Sequence, residues 1–145
     1  MTEEKKSSVE KIADRLKEYR TEAKLDCQID KVNLSTAFDN TSMVMKWIDR
    51  KVDWNRVCAE KEQKLLKVRR SLFEFYRKDY PLKLDSTAEL NLFITSDDQY
   101  MAVESELAIS EATKKFIGDT IDTLKARAWE VKGFAEYERF KNGLS

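Results

Sequence analysis

The 145-residue chain is 37% charged, with three Gly, one Pro and no His. Glycine and proline this scarce exclude a turn-rich β protein and favour long solvent-facing helices in a single domain, 1–145. The missing histidine removes the commonest general base and metal ligand; no apolar run approaches the roughly 18 residues of a membrane span, and formal net charge is zero.

Residues 1–6 lack the apolar core of a signal peptide, and Cys27 and Cys58 have neither metal nor redox spacing. Reduced thiols in a cytoplasm are therefore expected. The first predicted helix follows at once. Val9, Ile12, Leu16, Tyr19 and Ala23 recur at spacings of three and four among charged residues, and Ser7 with Glu10 makes the S-x-x-E pattern of a capping box. So narrow an apolar stripe needs another element to lie on.

A second helix is expected to start after Asp30 or Asn33, with Leu34, Ala37, Phe38, Thr41, Met45 and Ile48 on one face. A third runs from about Trp54 towards Pro81, whose ring and missing N–H stop it. Its apolar side is Trp54, Val57, Leu65, Val68, Leu72 and Phe75. The pattern allows these two helices to be continuous or hinged near 49–53. Residues 91–95 fit a short strand or a helical turn. Ser96-Asp97-Asp98 reads as a helix start, acidic at the positive end of the dipole. Helical pattern then continues to about Phe140, with a possible break near Ser110, and Gly143 closes it.

Charge is segregated along this order. Residues 45–80 hold 11 basic and 6 acidic side chains, whereas 81–111 hold 1 and 7. At 100° per residue Lys64, Lys67, Arg70, Arg77 and Lys78 share one arc, with Phe73 at its edge and Arg69 beside Tyr76. Cations in a row with aromatics alongside suit a flexible single strand, whose phosphates release counterions and whose bases stack. A merely solvated basic face, with Phe73 and Tyr76 in the core, fits the same spacing. Near the C-terminus Ile117, Ile121, Leu124, Ala128 and Val131 follow a seven-residue rhythm and leave an apolar seam that calls for a partner. Trp129 projects away from it with Lys125 and Lys132, which suits either an interface or cover by a neighbouring helix of the same subunit. No phosphate loop, nucleophile elbow or zinc spacing occurs, so no enzymatic activity, cofactor or metal is expected.

Ile29-Asp30, Lys46-Trp47-Ile48, the basic run into Leu72-Phe73-Glu74-Phe75-Tyr76, the stretch Thr123-Leu124-Lys125-Ala126-Arg127-Ala128-Trp129-Glu130-Val131-Lys132, then Arg139-Phe140 and Gly143 resemble, in order and interval, the UvsY family of recombination mediators from T4-like bacteriophages. The resemblance spans roughly residues 29–143. It implies a protein that binds single-stranded DNA, forms ring-like homo-oligomers, and helps a RecA-like recombinase displace single-strand-binding protein in the cytoplasm of an infected host. It implies DNA contact at the basic stretch before the aromatic pair, first at Arg70 with Lys67 and Arg69, and assembly through the C-terminal helix. Arg77-Lys78-Asp79-Tyr80-Pro81 stands where the family has a glycine-rich turn.

Together these readings predict an all-α subunit of elongated helices in a hairpin or bundle. Residues 7–80 supply N-terminal helices with the basic stripe, and 96–142 supply helices that assemble a ring. The expected DNA-binding residues are Lys64, Lys67, Arg69, Arg70, Phe73, Tyr76, Arg77 and Lys78. The expected interface is Ile117, Ile121, Leu124, Ala128, Trp129 and Val131. The rival expectation is a scaffolding oligomer whose charges serve solubility and pairing.

Overall fold

A computed structural model describes residues 6–28 and 40–143, and every regular element among them is helical. Four α-helices follow in order: α1 (Ser8–Asp26), α2 (Asn40–Glu74), α3 (Thr87–Thr95) and α4 (Asp98–Lys141), with a π-helical turn, Phe75–Asp79, at the end of α2. The predicted face at Leu34, Ala37 and Phe38, and the Ile29-Asp30 motif, lie outside the described residues. No helix among those described is long and apolar enough to cross a membrane.

Each boundary has a local cause. The Ser7 hydroxyl accepts from the Glu10 N–H, and the Glu10 carboxylate accepts from the Ser7 N–H, both at 3.2 Å, which closes the capping box of α1. Between Asn40 and Glu74 no Gly or Pro interrupts α2, so the chain runs through 49–53 without a hinge. Pro81 then forces its predecessor out of the helical region: Tyr80 is extended, with φ −70° and ψ 133°. Its N–H still reaches back to the Phe75 carbonyl at 2.9 Å, the five-residue bond of a π turn. The segment 91–95 belongs to a helix, and the strand alternative fails because Ser86 caps it by accepting from the Glu89 N–H at 3.1 Å. At the next start, Asp97 accepts from the Gln99 N–H at 2.8 Å. α4 then passes Ser110 unbroken, because the Ser110 hydroxyl donates to the Glu106 carbonyl at 2.7 Å and so can be buried inside the helix.

Contacts group the chain into two compact units, each drawing on both stretches that the sequence reading assigned to separate roles. The first comprises Met1–Ala13 and Trp54–Ala112. Its core includes Cys58, Leu72, Ile94 and Val103, and the rings of Phe75, Tyr76, Tyr80 and Phe93 pack together at centroid distances of 5.1 to 6.2 Å. The second comprises Asp14–Asp53 and Thr113–Ser145. Here Leu16 and Ala23 of α1 are buried with Trp47 of α2 and Ile117, Ile121 and Leu124 of α4. Tyr19 meets the Trp47 ring edge-on at 5.7 Å. The predicted face of Thr41, Met45 and Ile48 is rotated from the buried one: Met45 and Thr41 are exposed, and Trp47 is the fully buried residue.

Candidate nucleic-acid interface

The basic end of α2 lies in the first unit. Lys67, Arg69 and Arg70 sit on exposed turns of the helix, and Arg77 and Lys78 on the π turn. Among the described residues Lys67, Arg69, Arg77 and Lys78 form no ion pair, and Arg70 has only a loose contact with Glu74 at 3.9 Å. Exposed pairs of that kind contribute little. These cations are thus held by the helix and left to solvent. A π turn adds a residue to the helical repeat, so the arc read at 100° per residue holds only as far as Glu74.

Two predicted members have partners within the chain. Lys64 and Lys61 both point at Glu106, at 3.4 and 2.9 Å. Burial works to raise the Glu106 carboxyl, but the two lysines outweigh it and hold the group below its ordinary value. Tyr76 is half-buried in the aromatic cluster and its hydroxyl donates to Asp97 at 2.6 Å, a bond that pushes its pKa up to about 12. Its ring packs in that cluster and also lines a cleft beside Phe73 and Arg77. Phe73 keeps an exposed ring, with the Arg77 guanidinium 5.5 Å from its centroid.

The second unit separates the predicted interface residues into two groups. Ile117, Ile121 and Leu124 are buried within the chain itself, so the seam expected to need a partner is core up to Leu124. The sequence alone does not reveal that burial, because helical periodicity does not say which distant residues meet an apolar seam. Arg127, only 4% exposed, marks the end of it. Its guanidinium donates to the Asn40 side-chain oxygen at 2.8 Å, to the Gln28 carbonyl at 3.1 Å, and to the Asp26 carbonyl. Beyond Arg127 no described residue of α4 is buried. Ala128 is exposed, Val131 is half-buried, and Trp129 is 73% exposed with the Lys132 ammonium 5.4 Å from its ring. The structure therefore rules out cover of Trp129 by another helix of the described chain. Tyr137 and Phe140, the latter 83% exposed, extend the same side. Sequence reasoning missed both, although their angular offsets of roughly 80° and 20° from Trp129 are legible at 100° per residue.

A third charged cluster is internal. In the second unit Lys46 bridges Glu22 and Asp26 at 2.9 and 2.6 Å, and Arg50 bridges Glu22 at 2.7 Å. The Arg50 hydrogen bond, with Lys46 beside it, holds the Glu22 carboxyl below its ordinary value. Nothing reactive is indicated nearby: burial pushes the Cys27 thiol up, away from a thiolate. Among the described residues no group of three or more His, Cys, Asp or Glu could hold a metal.

Among the described residues the chain is all-helical, with exposed, largely unpaired cations at the end of α2 and on the π turn and an exposed aromatic stripe on α4, an arrangement able to hold a polyanion and to associate. The family model described as "Recombination, repair and ssDNA binding protein UvsY" matches residues 22–144, and the chain belongs to that family. Solved structures similar to it include crystal structures of the bacteriophage T4 recombination mediator protein UvsY. One matches at TM-score 0.79 and 20% identity, covering 87% of this chain and 98% of that one. A second lattice type matches at TM-score 0.79 and 18% identity, covering 88% and 97%. At such identity these matches establish the fold. No curated protein matches the chain.

Proposed function

We propose that this chain is a recombination mediator that binds single-stranded DNA and helps a RecA-like recombinase replace single-strand-binding protein on it. It acts as a ring-like homo-oligomer. The observation that carries the reading is the exposed set Lys67, Arg69, Arg70, Arg77 and Lys78, unpaired or nearly so, in a chain whose net charge is zero. Membership of a family described by single-stranded DNA binding supports it.

About five cations per subunit bind a single strand weakly at physiological salt. Several copies on one assembly raise the effective concentration of sites and turn weak contacts into avidity, while each contact stays reversible. A mediator needs both properties, since it holds DNA and then yields it. The uncovered end of α4, with Ala128, Trp129, Val131, Tyr137 and Phe140, supports assembly there, whereas Ile117, Ile121 and Leu124 contribute by stiffening the helix from within.

Titration of a fluorescent oligothymidylate at several salt concentrations, with mass by light scattering, tests the reading. Binding that weakens steeply with salt, by an oligomer, is expected. An oligomer with no salt-dependent binding would identify a scaffold instead.

A further inference from the structure

Next to the exposed cations lies a cavity of about 420 Å³ that the row of charges does not by itself explain. It is lined by Phe73 of α2, by Tyr76 and Arg77 of the π turn, by Lys83, Leu84 and Asp85 of the segment leading into α3, and by Leu90 within α3. We infer that this cleft takes one nucleobase of the bound strand, stacked against Phe73, with the adjoining phosphates held by Arg77 and Lys83. The inference rests on the single-stranded DNA reading and names the group by which the strand is gripped.

Size, chemistry and charge each bear on it. The volume falls in the range of small-molecule sites, roughly 300–1,000 Å³, ample for a single base. Phe73 and the two leucines offer an apolar enclosure, and an aromatic face accepts any base without reading its edge. Arg77, 5.5 Å from the Phe73 centroid, already places a cation beside that ring. Lys83 is exposed, and it is the one cation in the acidic segment 81–111. Its position in the lining brings it back to the basic end of α2. Asp85 repels a phosphate, so the neutral base belongs inside and the charged backbone outside with Arg77 and Lys83. The cleft is also well supported. Tyr76, bonded to Asp97, and the rings of Tyr80 and Phe93 fix the π turn that carries Arg77.

The test compares an oligothymidylate with a strand of equal length and charge that lacks bases. The intact protein is expected to bind the thymidylate about tenfold more tightly, as for loss of a base–aromatic stack. Phe73→Ala should erase most of that difference, with helicity and mass unchanged. Lys83→Ala should weaken binding of both strands and lower the salt slope by about 0.7. Thymidine monophosphate should bind far more weakly than the strand, and equal affinity would overturn the assignment to a strand. Equal binding of the two strands, or a preference that survives Phe73→Ala, would overturn the base pocket and leave salt-dependent DNA binding standing. Failure of both strands to bind at any salt would instead remove the functional proposal and the pocket with it.

Discussion

Two regions of this chain carry clustered positive charge and use it in opposite ways. In the second unit Lys46, Arg50 and Arg127 are satisfied by Glu22, Asp26, Asn40 and backbone carbonyls, and they tie α1, α2 and α4 together. In the first unit Lys67, Arg69, Arg70, Arg77 and Lys78 project to solvent with at most one loose partner. Charge density therefore does not distinguish a binding surface from a structural clamp; pairing does. The clamp also explains part of the family resemblance. Trp47 and Arg127 are among the residues that carry it, and both are buried, with the Trp47 Nε1–H donating to Asp26 at 3.0 Å.

The strongest way to break this comparison is at Arg127. Arg127→Ala leaves the Asn40 oxygen and two carbonyls without their donor, and is expected to cost about 3–5 kcal/mol, the range for disrupting a buried charged network. A urea midpoint at fixed protein concentration measures it, since the proposed self-association would make stability concentration-dependent. A loss under about 1 kcal/mol would mean that the clamp is ornamental. Next in size is Trp129→Ala. An exposed indole at an assembly surface typically contributes about 2 kcal/mol or more, so the variant should dissociate on dilution well before the unmodified protein, with helicity retained. A variant that unfolds at every concentration would place Trp129 in a core after all.

The solvent-facing cations supply a smaller effect of a different kind. Lys67→Ala with Arg70→Ala should weaken single-stranded DNA binding about tenfold and reduce the salt slope by about 1.4, at 0.7 per contact. Stability should change by less than about 0.5 kcal/mol. An unchanged slope would put the DNA elsewhere, whereas a large loss of stability would erase the contrast between the two regions.

How much of this was legible beforehand depends on range. Local signals were read correctly: Ser7 and Glu10 do form the capping box, Pro81 does end the helix, and α4 does start at Asp98. Helical class followed from composition, whereas the angle of Trp129 set it off the apolar seam but left open whether a neighbouring helix covered it. What the sequence hid was partnership across distance. Glu106 claims Lys64 from 42 residues away, and Arg127 reaches Asn40 across 87. No periodicity encodes such contacts, so Lys64 looked like its neighbours on the arc, and the seam through Leu124 looked uncovered. Tyr76 was obscured differently: a π turn and a bond to Asp97 set its ring in an aromatic cluster at the lining of the cleft, which helical periodicity does not anticipate.

Tyr76 gives the subtlest test, because within the first unit it sits in the aromatic cluster next to the solvent-facing cations Arg77 and Lys78. Its hydroxyl donates to one oxygen of Asp97 while the other oxygen accepts from Gln99, so Tyr76→Phe leaves no orphaned carboxylate. The expected cost near neutral pH is only about 0.5–1.5 kcal/mol, that of one ordinary hydrogen bond. The pH dependence is more telling than the size. The pKa is raised from 10.0 to about 12, so between those values the folded chain keeps a proton that the unfolded chain releases. Its stabilising contribution is complete below pH 10 and is lost as pH rises through 12. Lysines titrate in the same window, but they do so in both proteins, and the difference between unmodified and Tyr76→Phe midpoints removes them. That difference should be constant up to about pH 10 and then shrink. A gap that stays level to pH 11.5 would show that Tyr76 does not bond Asp97, and the π turn would lose the anchor that keeps Arg77 beside Phe73.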